Sequence, residues 1–213
     1  ALSETGPAGY SGGEWVCSGE GTQDGASIAL GIGQEATCTI TNDDQAAHLK
    51  LVKYVTNDNG GKATAEDFTL SVSGPTPISG DGIVESDVNA GTYVLSETTN
   101  MTGYEAGQWS CTNGVTVNEN KEITLALGQT TVCSITNNDI QPKLTVTKIV
   151  NDGPYGELEA GDFDLYVNTT QVTNGAQNVF NVGNYVVSET TEAGYEGVIS
   201  GNCDPNGNIT LNP

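Results

Sequence analysis

The feature that most restricts the fold of this chain is a repeat of about 93 residues running through its 213. "LSETGPAGY" at Leu2 to Tyr10 returns as "LSETTNMTGY" at Leu95 to Tyr104 and as "VSETTEAGY" at Val187 to Tyr195, with Glu4, Glu97 and Glu189 spaced 93 and 92 positions apart. "LKLVKYVTND" is matched by "LTVTKIVND", which aligns Lys53 with Lys148. "AEDFTLSV" from Ala65 is matched by "AGDFDLYV" from Ala160, and "ATCTITNDD" from Ala36 by "TVCSITNND" from Thr131. In order, the blocks predict three units: 1–45 as the later part of one repeat, 46–140 as a complete repeat, and 141–213 as a repeat without its last strand. A window onto a longer repeat chain is the expectation; the other arrangement has a neighbouring molecule donate the missing strand. The connections "NDDQAAH" and "NNDIQP" are short and polar, so the units are expected to follow end to end.

A unit of this size cannot build a large core, and the composition agrees: 36% of residues are hydrophobic, with 3 Phe and 1 Met. The 28 Gly, with Thr, Val and Asn in short alternating runs and no sustained helical period, predict an all-β protein. With 27 acidic residues against 6 basic ones, the net charge of −21 repels phosphate backbones and anionic headgroups. Nucleic-acid and membrane-surface roles are excluded on that ground, and the charge reads as a soluble, self-repelling surface. No run of 18 apolar residues and no basic-then-apolar leader occurs within the sequence.

The five cysteines hold repeat-equivalent places: Cys17 and Cys38, Cys111 and Cys133, and Cys203. Separations of 21 and 22 fit neighbouring antiparallel strands, predicting disulfides Cys17–Cys38 and Cys111–Cys133, with the partner of Cys203 outside the chain. A loop of that size stabilises by about 3.4 kcal/mol in the chain-entropy estimate. Such bonds imply an oxidising, extracellular compartment. With His48 the lone histidine and no CxxC pair, neither a metal site nor a cofactor is expected.

Strand parity then exposes three polar residues on the core face. In "HLKLVKYV" Lys53 is in phase with Leu49, Leu51 and Val55; in "YVLSET" Glu97 follows Tyr93 and Leu95; in "CSITN" Asn137 follows Cys133 and Ile135. Asn42 and Glu189 hold the matching places in the outer units. A buried lysine is costly as a cation and is pushed toward the neutral, nucleophilic amine. A glutamic acid in the same setting has its pKa raised and can protonate a carboxamide oxygen, making the asparagine electrophilic. Attack of Lys53 on Asn137 would expel ammonia and leave an amide cross-link, the near-attack geometry replacing up to about 7 to 11 kcal/mol of the barrier. The plainer alternative is a buried Lys53–Glu97 ion pair with Asn137 hydrogen-bonded to both, or a lysine whose tip reaches solvent.

These blocks resemble the CnaB or SpaA type prealbumin-like domains of bacterial surface proteins and pilins. The resemblance rests on the lysine of "LKLVKYV", the glutamate and Gly-Tyr of "YVLSETTNMTGY" and the asparagine of "SITNND". It covers the whole middle repeat and the visible parts of the others, and implies Ig-like β-sandwiches in tandem. It also implies a Lys53–Asn137 isopeptide bond assisted by Glu97, with incomplete sets at Glu4 and Asn42 and at Lys148 and Glu189. The cysteine pair departs from the commonest pattern.

The function expected from both readings is structural: the repeat region of an extracellular fibre or adhesin stalk, its partners being adjacent repeats or identical subunits. The alternative is an adhesin module binding a carbohydrate or protein surface, with Tyr54, Tyr155 and Tyr166 as candidate contacts. A turnover enzyme is not expected, since the Lys, Glu and Asn set would be consumed by its own reaction. "NDNGG" at Asn57 to Gly61 and "TNDD" read as acidic turns, and Asn100, Asn168 and Asn208 are sequons that permit glycosylation.

Overall fold

The computed structural model describes residues 1–213. Short alternating runs become strands throughout, with single 3-10 turns at Ala65–Asp67 and Ala160–Asp162 as the helical elements. Residues preceding the middle repeat form β1 (Tyr10–Gly12), β2 (Val16–Gly19), β3 (Thr22–Asp24), β4 (Ser27–Ala29), β5 (Ala36–Thr39) and β6 (Asn42–Asp44). They pair as hairpin-like couples, β1 with β6, β2 with β5 and β3 with β4.

The middle repeat supplies β7 (Ala47–Thr56), β8 (Phe68–Ser73), β9 (Ile78–Asp81), β10 (Ile83–Val88), β11 (Gly91–Thr99), β12 (Tyr104–Ala106), β13 (Ser110–Cys111), β14 (Glu122–Leu125) and β15 (Thr130–Asp139). One sheet runs β10-β7-β15-β12 with β13 also on β15, and the other runs β14-β11-β8-β9. Their inner faces meet in one core. Leu49 and Leu51 of β7 and Cys133 and Ile135 of β15 pack with Leu70 and Val72 of β8 and Tyr93 and Leu95 of β11, all essentially buried. The even spacing of these residues along each strand is the period-2 signature of a half-buried sheet face.

The last part supplies β16 (Lys143–Thr145), β17 (Leu165–Val167), β18 (Thr170–Val172), β19 (Gln177–Val179), β20 (Gly183–Glu189) and β21 (Asn208–Leu211). A four-stranded sheet runs β18-β17-β20-β21, and β16 pairs with β19. A smaller core forms from Leu165, Val167, Val172 and Val187.

Packing groups the chain into two compact units. One comprises residues 1–54, 65–100 and 108–135, the other 55–64, 101–107 and 136–213. The larger core belongs to the first and the smaller core to the second.

Both expected disulfides are present. Cys17 and Cys38 are directly opposite in the β2–β5 ladder, as Cys111 and Cys133 are in β13–β15, and each pair is bonded. Cys203 is a free thiol. Replacing both Cys111 and Cys133 by serine is expected to lower unfolding free energy by about 2 to 5 kcal/mol, read from urea unfolding of the oxidised chain and the double variant.

Candidate functional site

Lys53 enters the core in the alternation of β7: Leu49, Leu51 and Lys53 are buried, Val52 between them is covered as well, and Tyr54 is 55% exposed. Lys53 is 3% exposed, and its Nζ lies 3.2 Å from a carboxylate oxygen of Glu97 and 4.6 Å from the centre of the Phe68 ring. Glu97 is brought there by β11, whose register against β8 sets it opposite Leu70. Burial pushes the Lys53 ammonium below its ordinary pKa, and the charge and hydrogen bonding of Glu97 push the other way without cancelling the shift. The amine is thereby held closer to its neutral, nucleophilic form.

The same constellation recurs at the equivalent positions of the last repeat. Lys148 Nζ is 2.6 Å from Glu189 and 4.2 Å from the Phe163 ring centre, and Glu189 is opposite Leu165 just as Glu97 is opposite Leu70. The Lys148 and Glu189 side chains retain 14% and 22% exposure, against 0% and 9% for Lys53 and Glu97. In the first repeat, of which 1–45 is the later part, the Asn42 amide donates to the Glu4 carboxylate. Each repeat thus displays part of one motif: lysine on glutamate twice, asparagine on glutamate once. Asn137, the counterpart of Asn42, is 2% exposed on β15, the strand next to β7.

A second polar cluster went unforeseen in the sequence. Asp139, 3% exposed at the end of β15, accepts from the backbone amides of Asn59 (3.0 Å) and Gly61 (2.7 Å) and from the Asn59 side chain. Burial raises the Asp139 carboxyl, but these amide donors outweigh it and hold the group below its ordinary pKa. The "NDNGG" turn therefore cradles a carboxylate of its own chain. Gly61 is required there, since a Cβ would sit 2.3 Å from the Tyr104 hydroxyl and 2.9 Å from Asp139.

Tyr104 explains the repeated Gly-Tyr. Its hydroxyl donates to Asn57 Oδ1 (2.6 Å) and accepts from the Ala63 amide (2.9 Å). Tyr195 does the same with Asp152 Oδ1 (2.8 Å) and the Leu158 amide (3.1 Å). The preceding glycines, Gly9, Gly103 and Gly194, all have left-handed φ of 87, 79 and 87°, a conformation glycine adopts without steric cost. Signals for these roles were present: Phe68 and Phe163 each follow the lysine by 15 positions, and the tyrosines recur with their glycines.

The remaining candidates are scattered. Tyr155 is 95% exposed and Tyr166 only partly buried, and with Tyr54 they lie on separate elements. Asn168 takes a left-handed turn position, where its side-chain oxygen accepts from the Val186 amide, and Asn208 donates to Asp204. Asn100 is exposed at the end of β11. No helix is long and apolar enough to cross a membrane.

A family model described as a prealbumin-like fold domain, of the SpaA type, matches residues 1–40 and 44–135, more than half of the chain. The chain belongs to the prealbumin-like fold domain family. Among solved structures it is similar to the major pilin protein T3.2 of Streptococcus pyogenes serotype GAS13637, at 16% identity over 64% of each chain with a TM-score of 0.39. It is similar to a bacterial adhesin from Mobiluncus mulieris containing intramolecular disulfide, isopeptide and ester bond cross-links, at 18% identity over 55% of this chain and 53% of that one, TM-score 0.35. A third similarity is to the Bacillus anthracis TIE protein, at 17% identity over 85% of this chain and 38% of that one, TM-score 0.42. The chain spans from 38% to 64% of the lengths of these structures. No curated protein matches it.

The sign of the Lys53 shift gives a pH test. Between the lowered pKa of the folded state and the ordinary value of 10.5 the unfolded chain binds the extra proton, so stability rises with pH across that window. With the amine kept free by Asn137→Ala, that variant is expected to gain stability toward pH 10 relative to Asn137→Ala/Lys53→Met. Urea unfolding of the two at several pH values measures the difference.

Proposed function

We infer that this chain is a load-bearing repeat segment of an extracellular surface fibre or adhesin stalk, and that its middle repeat locks itself with an amide bond between Lys53 and Asn137. The units are 1–45, 46–140 and 141–213, each a prealbumin-like repeat or part of one, and their partners are neighbouring repeats or identical subunits. The observation carrying this reading is the buried Lys53 amine beside the Glu97 carboxyl under a phenylalanine ring, repeated at Lys148, Glu189 and Phe163.

The chemistry follows from the groups. The Lys53 amine, favoured in its neutral form by burial, attacks the side-chain carbonyl carbon of Asn137. Glu97 passes a proton from the attacking nitrogen to the departing one; the carbon–nitrogen bond of the carboxamide breaks and ammonia leaves. Glu97 ends as it began, and each site reacts once. The asparagine–glutamate contact in the first repeat and the lysine–glutamate contacts in the others support a shared three-residue arrangement.

The mechanical benefit comes from topology. The bond would join the first and last strands of the middle repeat across 84 residues, worth about 4.5 kcal/mol by loop entropy when unstrained. Force entering through β7 would leave through β15 along a covalent path, so the sandwich between them need not extend. Two disulfides fit an oxidising extracellular setting.

Intact-mass measurement of the fully reduced chain is expected to fall below the sequence mass by one ammonia. Lys53→Ala and Asn137→Ala should each restore the sequence mass, and Glu97→Ala should slow or abolish the loss. A wild-type chain at its full sequence mass refutes the cross-link.

A further inference from the structure

Two contacts at matching places join one repeat to the next, and the amide chemistry uses neither. In each, the residue after a repeat's final strand donates its amide to the carbonyl of that repeat's Gly-Tyr glycine: Gln45 to Gly9 at 2.7 Å, Ile140 to Gly103 at 2.8 Å. A Cβ on Gly9 would overlap Leu127, and one on Gly103 would overlap Pro213. These two residues correspond. Each stands two positions beyond its strand, β14 or β21, and those strands pair alike, Leu125 opposite Gly91 and Leu211 opposite Gly183. Gly9, Gln45 and Leu127 all lie in the first compact unit, and Gly103, Ile140 and Pro213 all in the second.

Backbone hydrogen bonds cross both joints. The Gly128 amide donates to the Gln45 carbonyl at 2.8 Å, and the Val182 amide to the Asn59 carbonyl at 2.8 Å. Gly60 faces the same valine, and a Cβ there would stand 3.2 Å from Val182 Cβ. The loop carrying Asn59 and Gly60 is held from behind by the buried Asp139 carboxylate and by Tyr104, whose hydroxyl is bonded to Asn57. The Gly-Tyr pair therefore serves one joint twice, the glycine as a seat and the tyrosine as a brace for the loop beside it. Leu127, Pro213 and Val182 are apolar, and glycine backbone receives them. No like charges are opposed across these contacts in a chain of net charge −21.

We propose that the Gly-Tyr glycine, with the linker residue bonded to its carbonyl, is the docking seat for the following repeat. Its partner is the turn beyond the β14-type strand of the next repeat in the same chain, and the missing side chain is what admits that turn. In the second joint Asp139 is a positioning residue, acting through the loop that meets Val182. In tandem arrays such contacts add nearest-neighbour stability to that of each repeat. The proposal rests on the reading of the chain as consecutive repeats and is independent of the Lys53–Asn137 amide.

Residue-resolved hydrogen exchange on the full oxidised chain tests it, with Gly194→Ala as the control. Gly194 shares the left-handed φ of 87°, but nothing lies within 4 Å of where its Cβ would stand, so that variant carries the backbone strain alone. Gly9→Ala is expected to speed exchange of the Gly128 amide about tenfold, the effect of losing roughly one hydrogen bond, and Gly103→Ala to do the same at Val182. Each should leave the other joint unchanged, and Gly194→Ala should leave both. Asp139→Ala should release Val182 and spare Gly128. The Leu95 amide, bonded to the Lys121 carbonyl within the middle repeat, should stay protected throughout. Free exchange of Gly128 and Val182 in the wild-type chain overturns the docking seat, as does an effect of Gly194→Ala equal to that of the other two glycine variants. Loss of Leu95 protection in Gly9→Ala or Gly103→Ala would also overturn it, by assigning the glycine to the folding of the repeat itself. Intact mass reports the Lys53–Asn137 amide separately, so either result can fail without the other.

Discussion

The last strand of the middle repeat is the element on which one of its two sheets depends. β15 sits between β7 on one side and β12 and β13 on the other, and buries Cys133, Ile135, Asn137 and Asp139 along one face. Its cysteine closes a disulfide, and its aspartate gathers the amides of the turn that follows β7. A β-strand is stable only when its backbone groups find partners. In the last repeat β17, β18, β20 and β21 pair in one sheet on the pattern of β8, β9, β11 and β14.

The buried lysine is a weak source of stability in itself. Removing an ammonium and a carboxylate from water costs several kcal/mol per ion, and their attraction roughly offsets it. The Phe68 ring face contributes on the order of 1 to 2 kcal/mol more when the cation is desolvated. An apolar residue would fill the same space at no electrostatic cost, so stability alone gives no reason for a Lys–Glu–Phe set in two repeats. The amide cross-link proposed for Lys53 would give one, because burial that is thermodynamically neutral for the pair is chemically useful for the amine. His48–Asp87 and Lys50–Glu85, on the exposed face of the same strand pairing, show the contrast: they are solvent-screened pairs worth little either way.

Much of this was legible because the chain repeats itself. Alternation in "HLKLVKYV", "YVLSET" and "CSITN" places Lys53, Glu97 and Asn137 on buried faces, and the 21- and 22-residue cysteine spacings anticipate both disulfides. Asp139 was missed because parity identifies a face but not the turn that will fold over it. The amides that hold it lie 78 and 80 positions away in a segment that reads as a solvated acidic turn. Phe68 and Phe163 carry no polar signal in the sequence, and it is their place beneath a lysine that gives them a second role.

The charge balance bears on why covalent links suit such a chain. At −21 over 213 residues, the surface repels itself and the compact state is destabilised in proportion, more so at low ionic strength. Cations that could relieve this at the surface are few, yet two of the 6 lysines are drawn inward onto carboxylates. Each repeat is also small, with a core of limited size. Disulfides across the strand ladders compensate by restricting the unfolded chain, and salt does not screen them.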